Sequence, residues 1–138
     1  MRLETKYYLN INKFQLIKNY LINNRYNLDE NCKNFNSYEV TSIYFDNHKL
    51  DSYYEKVNGV RGRYKLRLRY YNLSNDYMCL EIKHKKNYFI WKDKFYFEKD
   101  DVLNYLGGKR SKLKNFIKLN FPNYKPICIV SYDRLAFL

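Results

Sequence analysis

Residues 61–71 read RGRYKLRLRYY, and the reading of this stretch decides the fold. Arg61, Arg63, Lys65, Arg67 and Arg69 hold the odd positions; Gly62, Tyr64, Leu66, Leu68 and Tyr70 hold the even ones. A period of two belongs to a β-strand with two unlike faces. One face is a row of cations. Like charges set opposite one another destabilise a sheet, so such a row calls for compensation by a polyanion or by interleaved acids.

The alternation spreads to the flanking segments. In CLEIKHKK (79–86), Glu81, Lys83 and Lys85 alternate with Leu80, Ile82 and His84; in FIWKDKFYF (89–97), Lys92 and Lys94 alternate with Trp91, Asp93 and Phe95. Strands at about 61–71, 77–86 and 88–97 with short links form an antiparallel meander, and NLSND (72–76) supplies the clearest turn. RLETKYYL (2–9) reads as an opening strand carrying Glu4 and Lys6 on one face, and YEVTSIYFD (38–46) as a β-branched, aromatic strand. One polar face on an antiparallel sheet is ordinary when that face meets water. A solvated face mixes signs, however, and this one is almost purely positive over three strands.

Helices fall between. NINKFQLIKNYLINN (10–24) has Phe14, Ile17 and Leu21 at helical spacing, with Asn12 and Gln15 as a capping box. NHKLDSYYEKVNG (47–59) predicts a short helix or turn ending at Gly59. EKDDVLNYL (98–106) and SKLKNFIKLNF (111–121) predict two more helices, capped by Asp100 or Asp101 and by Ser111. ICIVSYDRLAFL (127–138) is a final strand. The class is α+β: one domain, with a sheet of about six strands and helices packed outside it.

The bulk composition agrees with an anionic partner. The 138 residues carry 26 Lys and Arg against 14 acids, a net charge of +12. Such a field favours nucleic acid, phosphorylated small molecules or acidic membrane. Cys32, Cys79 and Cys128 stand far apart, which argues against a disulfide framework or zinc site and for a reduced, cytoplasmic setting. The sequence contains no apolar run long enough to span a membrane. GGKRS (107–111) departs from a phosphate loop at Arg110 and Leu103. His48 and His84 lack the spacing of a metal site or triad.

Six of these segments, in order, resemble the VTC domain, the polyphosphate polymerase branch of the triphosphate tunnel superfamily. They are RLETKYYL, SIYFDNHKLDSYYEK (42–56), RYKLRLRYY (63–71), CLEIKHK, WKDKF (91–95) and SYDRLAF (131–137). The resemblance implies an antiparallel β-barrel closed into a cation-lined tunnel. It implies transfer of the ATP terminal phosphoryl group to a polyphosphate chain, with a divalent metal, Mn or Mg. Carried over residue by residue, the phosphate ligands are Lys6, Arg67, Arg69, Lys83, Lys92 and Arg134, with Lys65 on the same row. Arg67, Arg69, Lys83 and Arg134 form the catalytic set, and Glu4 and Glu81 support the cations. The family continues past this last strand with a further Arg-bearing strand and a metal-binding Glu, which would lie beyond Leu138. The expectation is therefore a truncated domain over 1–138, with the barrel incomplete at its C-terminus and activity of the fragment open. A binding module without turnover and, third, a basic nucleic-acid binder remain as alternatives. ATP and polyphosphate are the expected partners, with no specific nucleic acid.

Overall fold

A computed structural model describes residues 5–30, 32, 37–72 and 76–138. They divide into two compact units, residues 38–134 and a smaller one of 1–37 with 135–138. The larger unit is built on an antiparallel sheet. Its strands are β1 (Tyr38–Asp46), β2 (Gly62–Tyr71), β3 (Tyr77–Lys86), β4 (Phe89–Glu98) and β5 (Lys125–Arg134). The order is β4-β3-β2-β1-β5. α2 (Asp51–Val57) links β1 to β2, and α3 (Lys99–Leu106) and α4 (Lys112–Asn120) lie between β4 and β5. The smaller unit contains α1 (Ile11–Asn23) and a bridge between Leu28 and Phe137.

The core explains the sheet's orientation. Leu66, Leu68 and Leu80 are fully buried, and Ile43, Phe45, Met78 and Ile82 nearly so. They pack against Val102 of α3 and Leu113 and Ile117 of α4. Phe95 and Phe97 complete this layer against Phe116, at ring distances of 4.7 and 5.9 Å. Even positions of β2 and β3 and odd positions of β1 and β4 thus share the helix-covered face. The cationic residues of β2 are left on the opposite one.

Several expectations change. Among the described residues the sheet has five strands, β4 and β5 are its two edges, and it does not close into a barrel. Residues 5–9 form no strand; Glu4 lies outside the described residues. Two helix caps also differ. α1 begins after Asn10, whose backbone is extended and whose Oδ1 accepts from Lys13 N at 2.9 Å, so the capping residue is two positions earlier than the Asn12 box. Asp101 does not cap its own helix; its carboxylate accepts from Lys112 N and Leu113 N at 2.7 and 2.8 Å, at the start of α4. Ser111 caps α4 as expected, accepting from Lys114 N at 3.0 Å. Gly59 follows α2 at φ 67, a left-handed conformation that glycine adopts without steric cost.

Asp46 ends β1 and starts α2. It is 1% exposed. Oδ1 accepts from Asn47 N at 2.9 Å and Ser52 N at 3.1 Å, and Oδ2 from Tyr53 N at 3.1 Å. Leu50, which precedes the helix, contributes no side-chain cap, so a strand residue satisfies these helix donors. Asp46→Ala leaves them unpaired. It is expected to lower stability by about 2–3 kcal/mol, with Asp46→Asn recovering part of the loss, as measured by urea unfolding.

Candidate functional site

The face opposite the helices is organised in rows set by strand register. Lys65, Lys83 and Lys92 stand directly across from one another on β2, β3 and β4. The next row is Tyr44, Arg67, Glu81 and Lys94, and the one after it is Ser42, Arg69, Cys79 and Tyr96. Rows on one face repeat about every 7 Å along a strand, and strands are about 5 Å apart. The result is a grid of cations interrupted by one acid.

That acid is buried at 4% exposure and paired. Arg67 donates Nε to Glu81 Oε2 at 2.7 Å, and its Nη2 lies 2.5 Å from the same oxygen. The Tyr44 hydroxyl is 3.5 Å from Nη1, at the outer limit of a hydrogen bond. Arg69 is held from β1, its Nε donating to the Oγ of buried Ser42 at 3.0 Å. Both guanidinium groups are therefore oriented through Nε; Arg67 also commits Nη2 to Glu81 and approaches Tyr44 with Nη1, so each of its contacts helps to fix the plane of the group.

The electrostatics follow from this crowding. Burial pushes the Glu81 carboxyl up, but the Arg67 hydrogen bond and charge, aided by Lys92 and Arg69, outweigh it and hold Glu81 below its ordinary range. Burial opposes the charge on Arg67 too, and Tyr44 and Glu81 more than restore it. Lys65 is pulled down by burial and then by the charge of Lys56. Lys92 is pulled down by burial and by Arg67, Lys83 and Arg69, against the opposing pull of Glu81.

The sheet thus brings Lys65, Arg67, Arg69, Lys83, Lys92 and Glu81 onto one face of adjacent strands. Arg134 points to the same side but pairs with Tyr38, whereas Arg67 pairs with Tyr44. That is six residues along β1, or about 20 Å, so Arg134 is not gathered with the lysine row. Lys6 belongs to the smaller unit, in an exposed segment without regular structure. Ser42, Tyr44 and Lys94 are additions to the set. Lys94 was visible in the alternation; Ser42 and Tyr44 needed the β1–β2 register, which no single strand reveals.

A cavity of about 320 Å³ opens at one end of this face, lined by Arg69, Tyr71, Tyr77, Glu81, Lys94 and Tyr96 among others. Among the described residues no cluster of three His, Cys, Asp or Glu side chains is placed to hold a metal. Glu81, the carboxylate in the cation rows, is already taken by Arg67 and faces Lys92 and Arg69. These residues do not fit a divalent ion.

Fold and face together define an α+β domain that presents an ordered cation grid on an antiparallel sheet. The VTC domain model matches residues 1–138, and the chain belongs to that family. The family is linked to polyphosphate polymerases of the triphosphate tunnel type and implies use of a divalent metal. No curated protein matches the chain.

Two outcomes follow from the charge arrangement. Glu81 has its proton affinity lowered by folding, so its contribution to stability is complete at neutral pH. It is lost as pH falls from the ordinary carboxylate range through the depressed value. Glu81→Gln should flatten this acid limb of a stability–pH profile and cost about 3 kcal/mol at neutral pH, because it strands a largely buried guanidinium. Lys65 and Lys92 have theirs lowered as well, and a bound anion restores it. Anion binding in alkaline buffer should therefore take up protons, and affinity should fall as pH rises through the depressed lysine range. Calorimetry in buffers of different ionisation enthalpy measures both.

Proposed function

We propose that this face binds a linear phosphate chain and that the domain transfers the terminal phosphoryl group of ATP to the end of polyphosphate. The observation that carries the binding step is the register of Lys65, Lys83 and Lys92, directly opposite one another, beside the oriented Arg67 and Arg69. Three lysines paired across adjacent strands place like charges side by side, and a polyanion laid across them converts that repulsion into attraction. Arg supplies a planar fork for bidentate contact with phosphate oxygens, and Lys a compact point charge. Family membership supports the transfer step.

In that reaction a terminal oxygen of the polyphosphate bonds to the γ-phosphorus of ATP. The bond from that phosphorus to its bridging oxygen breaks, and ADP leaves. Little covalent work falls to the protein; positioning and charge stabilisation dominate. Glu81 and Ser42 fix the guanidinium planes of Arg67 and Arg69, while Lys65, Lys83 and Lys92 neutralise the phosphates. Arg134, Lys6 and a tunnel closed around the chain are proposed on the family expectation alone. A divalent metal would be held by groups other than the residues of this grid.

The test is conversion of radiolabelled ATP to polymer, alongside polyphosphate binding at fixed ionic strength. Arg67→Ala should lower turnover by about 10²-fold or more, as for loss of one preorganised charge stabiliser. Binding without turnover, abolished by Lys83→Glu, would reduce the reading to a polyphosphate-binding module. Among the described residues the sheet is open and sets no steric bar to duplex DNA, so competition decides that alternative. Polyphosphate should displace duplex DNA at equal phosphate concentration and fixed salt; the reverse order would favour a nucleic-acid binder.

A further inference from the structure

We propose that the tip of the β3–β4 hairpin, with the adjoining end of α2, docks into the surface of an anionic lipid bilayer. The tip presents four consecutive apolar residues: Tyr88, Phe89, Ile90 and Trp91, exposed at 96, 74, 56 and 45%. Lys86 pairs with Phe89, so the turn is only Asn87 and Tyr88, with Asn87 left-handed at φ 55. Side chains alternate along β4, which puts Ile90 on the cationic face and Phe89 and Trp91 on the other. The tip is therefore apolar on both sides. It has the form of a wedge, not of a flat patch.

Cations surround the wedge. Lys85 and Lys86 precede the turn; Arg63 pairs with Lys85 and Gly62 with Lys86. Asn87 N donates to the Arg61 carbonyl at 3.0 Å, which ties Arg61 to the same tip. Arg63 donates to the Val60 carbonyl, bringing in the end of α2. That end adds Lys56 with exposed Val57 and Val60. Glu55 and Asp93 are the acids nearby, and Asp93 is held by His84 at 2.9 Å. The Trp91 ring stacks on His84 at 4.8 Å and 6°, which fixes its direction.

This combination identifies the partner by its chemistry. Aromatic side chains with apolar bodies settle at the headgroup level of a bilayer. Lysines and arginines beside them are attracted by the negative potential of an acidic leaflet. A wedge bare on both sides suits a fluid medium that closes around it. The turn's own backbone polar groups limit the depth to the boundary between headgroups and acyl chains. The inference is independent of the phosphoryl-transfer reading: none of Tyr88, Phe89, Ile90, Lys85 or Lys86 is in the proposed phosphate set.

Trp91 is the chain's one tryptophan, so its fluorescence reports the tip alone. The experiment mixes the full chain with vesicles of phosphatidylcholine, with and without phosphatidylserine, and with brominated phosphatidylcholine as quencher. The expected result is co-sedimentation with the acidic vesicles, a blue shift of Trp91 and quenching by bromine. The double variant Phe89→Ser, Ile90→Ser should reduce partitioning by about tenfold or more. Lys85→Glu with Lys86→Glu should reduce it by at least about fivefold per cation removed. Both variants alter exposed side chains, and circular dichroism checks their folding. Co-sedimentation without a blue shift or quenching would mean adsorption through the cationic face and would overturn the proposal. So would a double variant that binds vesicles normally, or one whose loss appears only as a smaller sedimentation mass in lipid-free buffer, which would mark a contact between copies.

Discussion

Side-chain alternation along β2 is the constraint from which the remaining architecture follows. Leu66 and Leu68 are fully buried under α3 and α4. With a period of two, Lys65, Arg67 and Arg69 then have no position except the opposite face. A slip of one residue would drive those three cations into the apolar core, so the register is strongly specified. The neighbouring strands inherit the choice: pairing fixes Lys83 and Lys92 opposite Lys65, and Glu81 opposite Arg67. One acid is thereby placed where it orients an arginine, and the lysine row across β2, β3 and β4 holds none.

The two halves of this face use charge differently. In the row of Arg67, Glu81 and Tyr44, the ion pair and its hydrogen bonds fix side-chain direction at the cost of desolvation. In the row of Lys65, Lys83 and Lys92, mutual repulsion is left standing. A surface selected for stability alone would mix signs. On the proposed function, this one retains free energy that a bound polyanion would release, with Ser42 and Glu81 holding Arg69 and Arg67 in a set orientation.

Much of this was legible in the sequence because it depends on local periodicity. The meander, the shared parity of Lys65, Arg67, Lys83 and Lys92, the end of α2 at Gly59 and the Ser111 cap are all properties of short windows. What was not legible depends on pairing between distant segments. Asp101 looked like a cap for its own helix, yet its carboxylate serves α4. Asp46 read as the end of a strand motif, yet it anchors α2. Arg134 shares the parity of the cation rows, but only the β1–β5 register reveals that it lies near the opposite end of the sheet. Closure into a barrel was expected from family likeness; β4 and β5 are edges among the described residues.

The strand order also separates local from long-range assembly. β3 and β4 meet across a two-residue turn, whereas the Thr41 and Ser131 hydroxyls, 2.6 Å apart, join positions 90 residues distant in the chain. Closing the longer loop carries the larger entropy, and non-local pairings slow folding. The lysine row lies wholly on the β2–β3–β4 meander, so its assembly does not wait for β5. The β1–β5 ladder bears the greatest ordering cost in the sheet and borders solvent along its outer side. Amide exchange is therefore expected to open the β1–β5 ladder before the β2–β3 ladder, which is interior to the sheet.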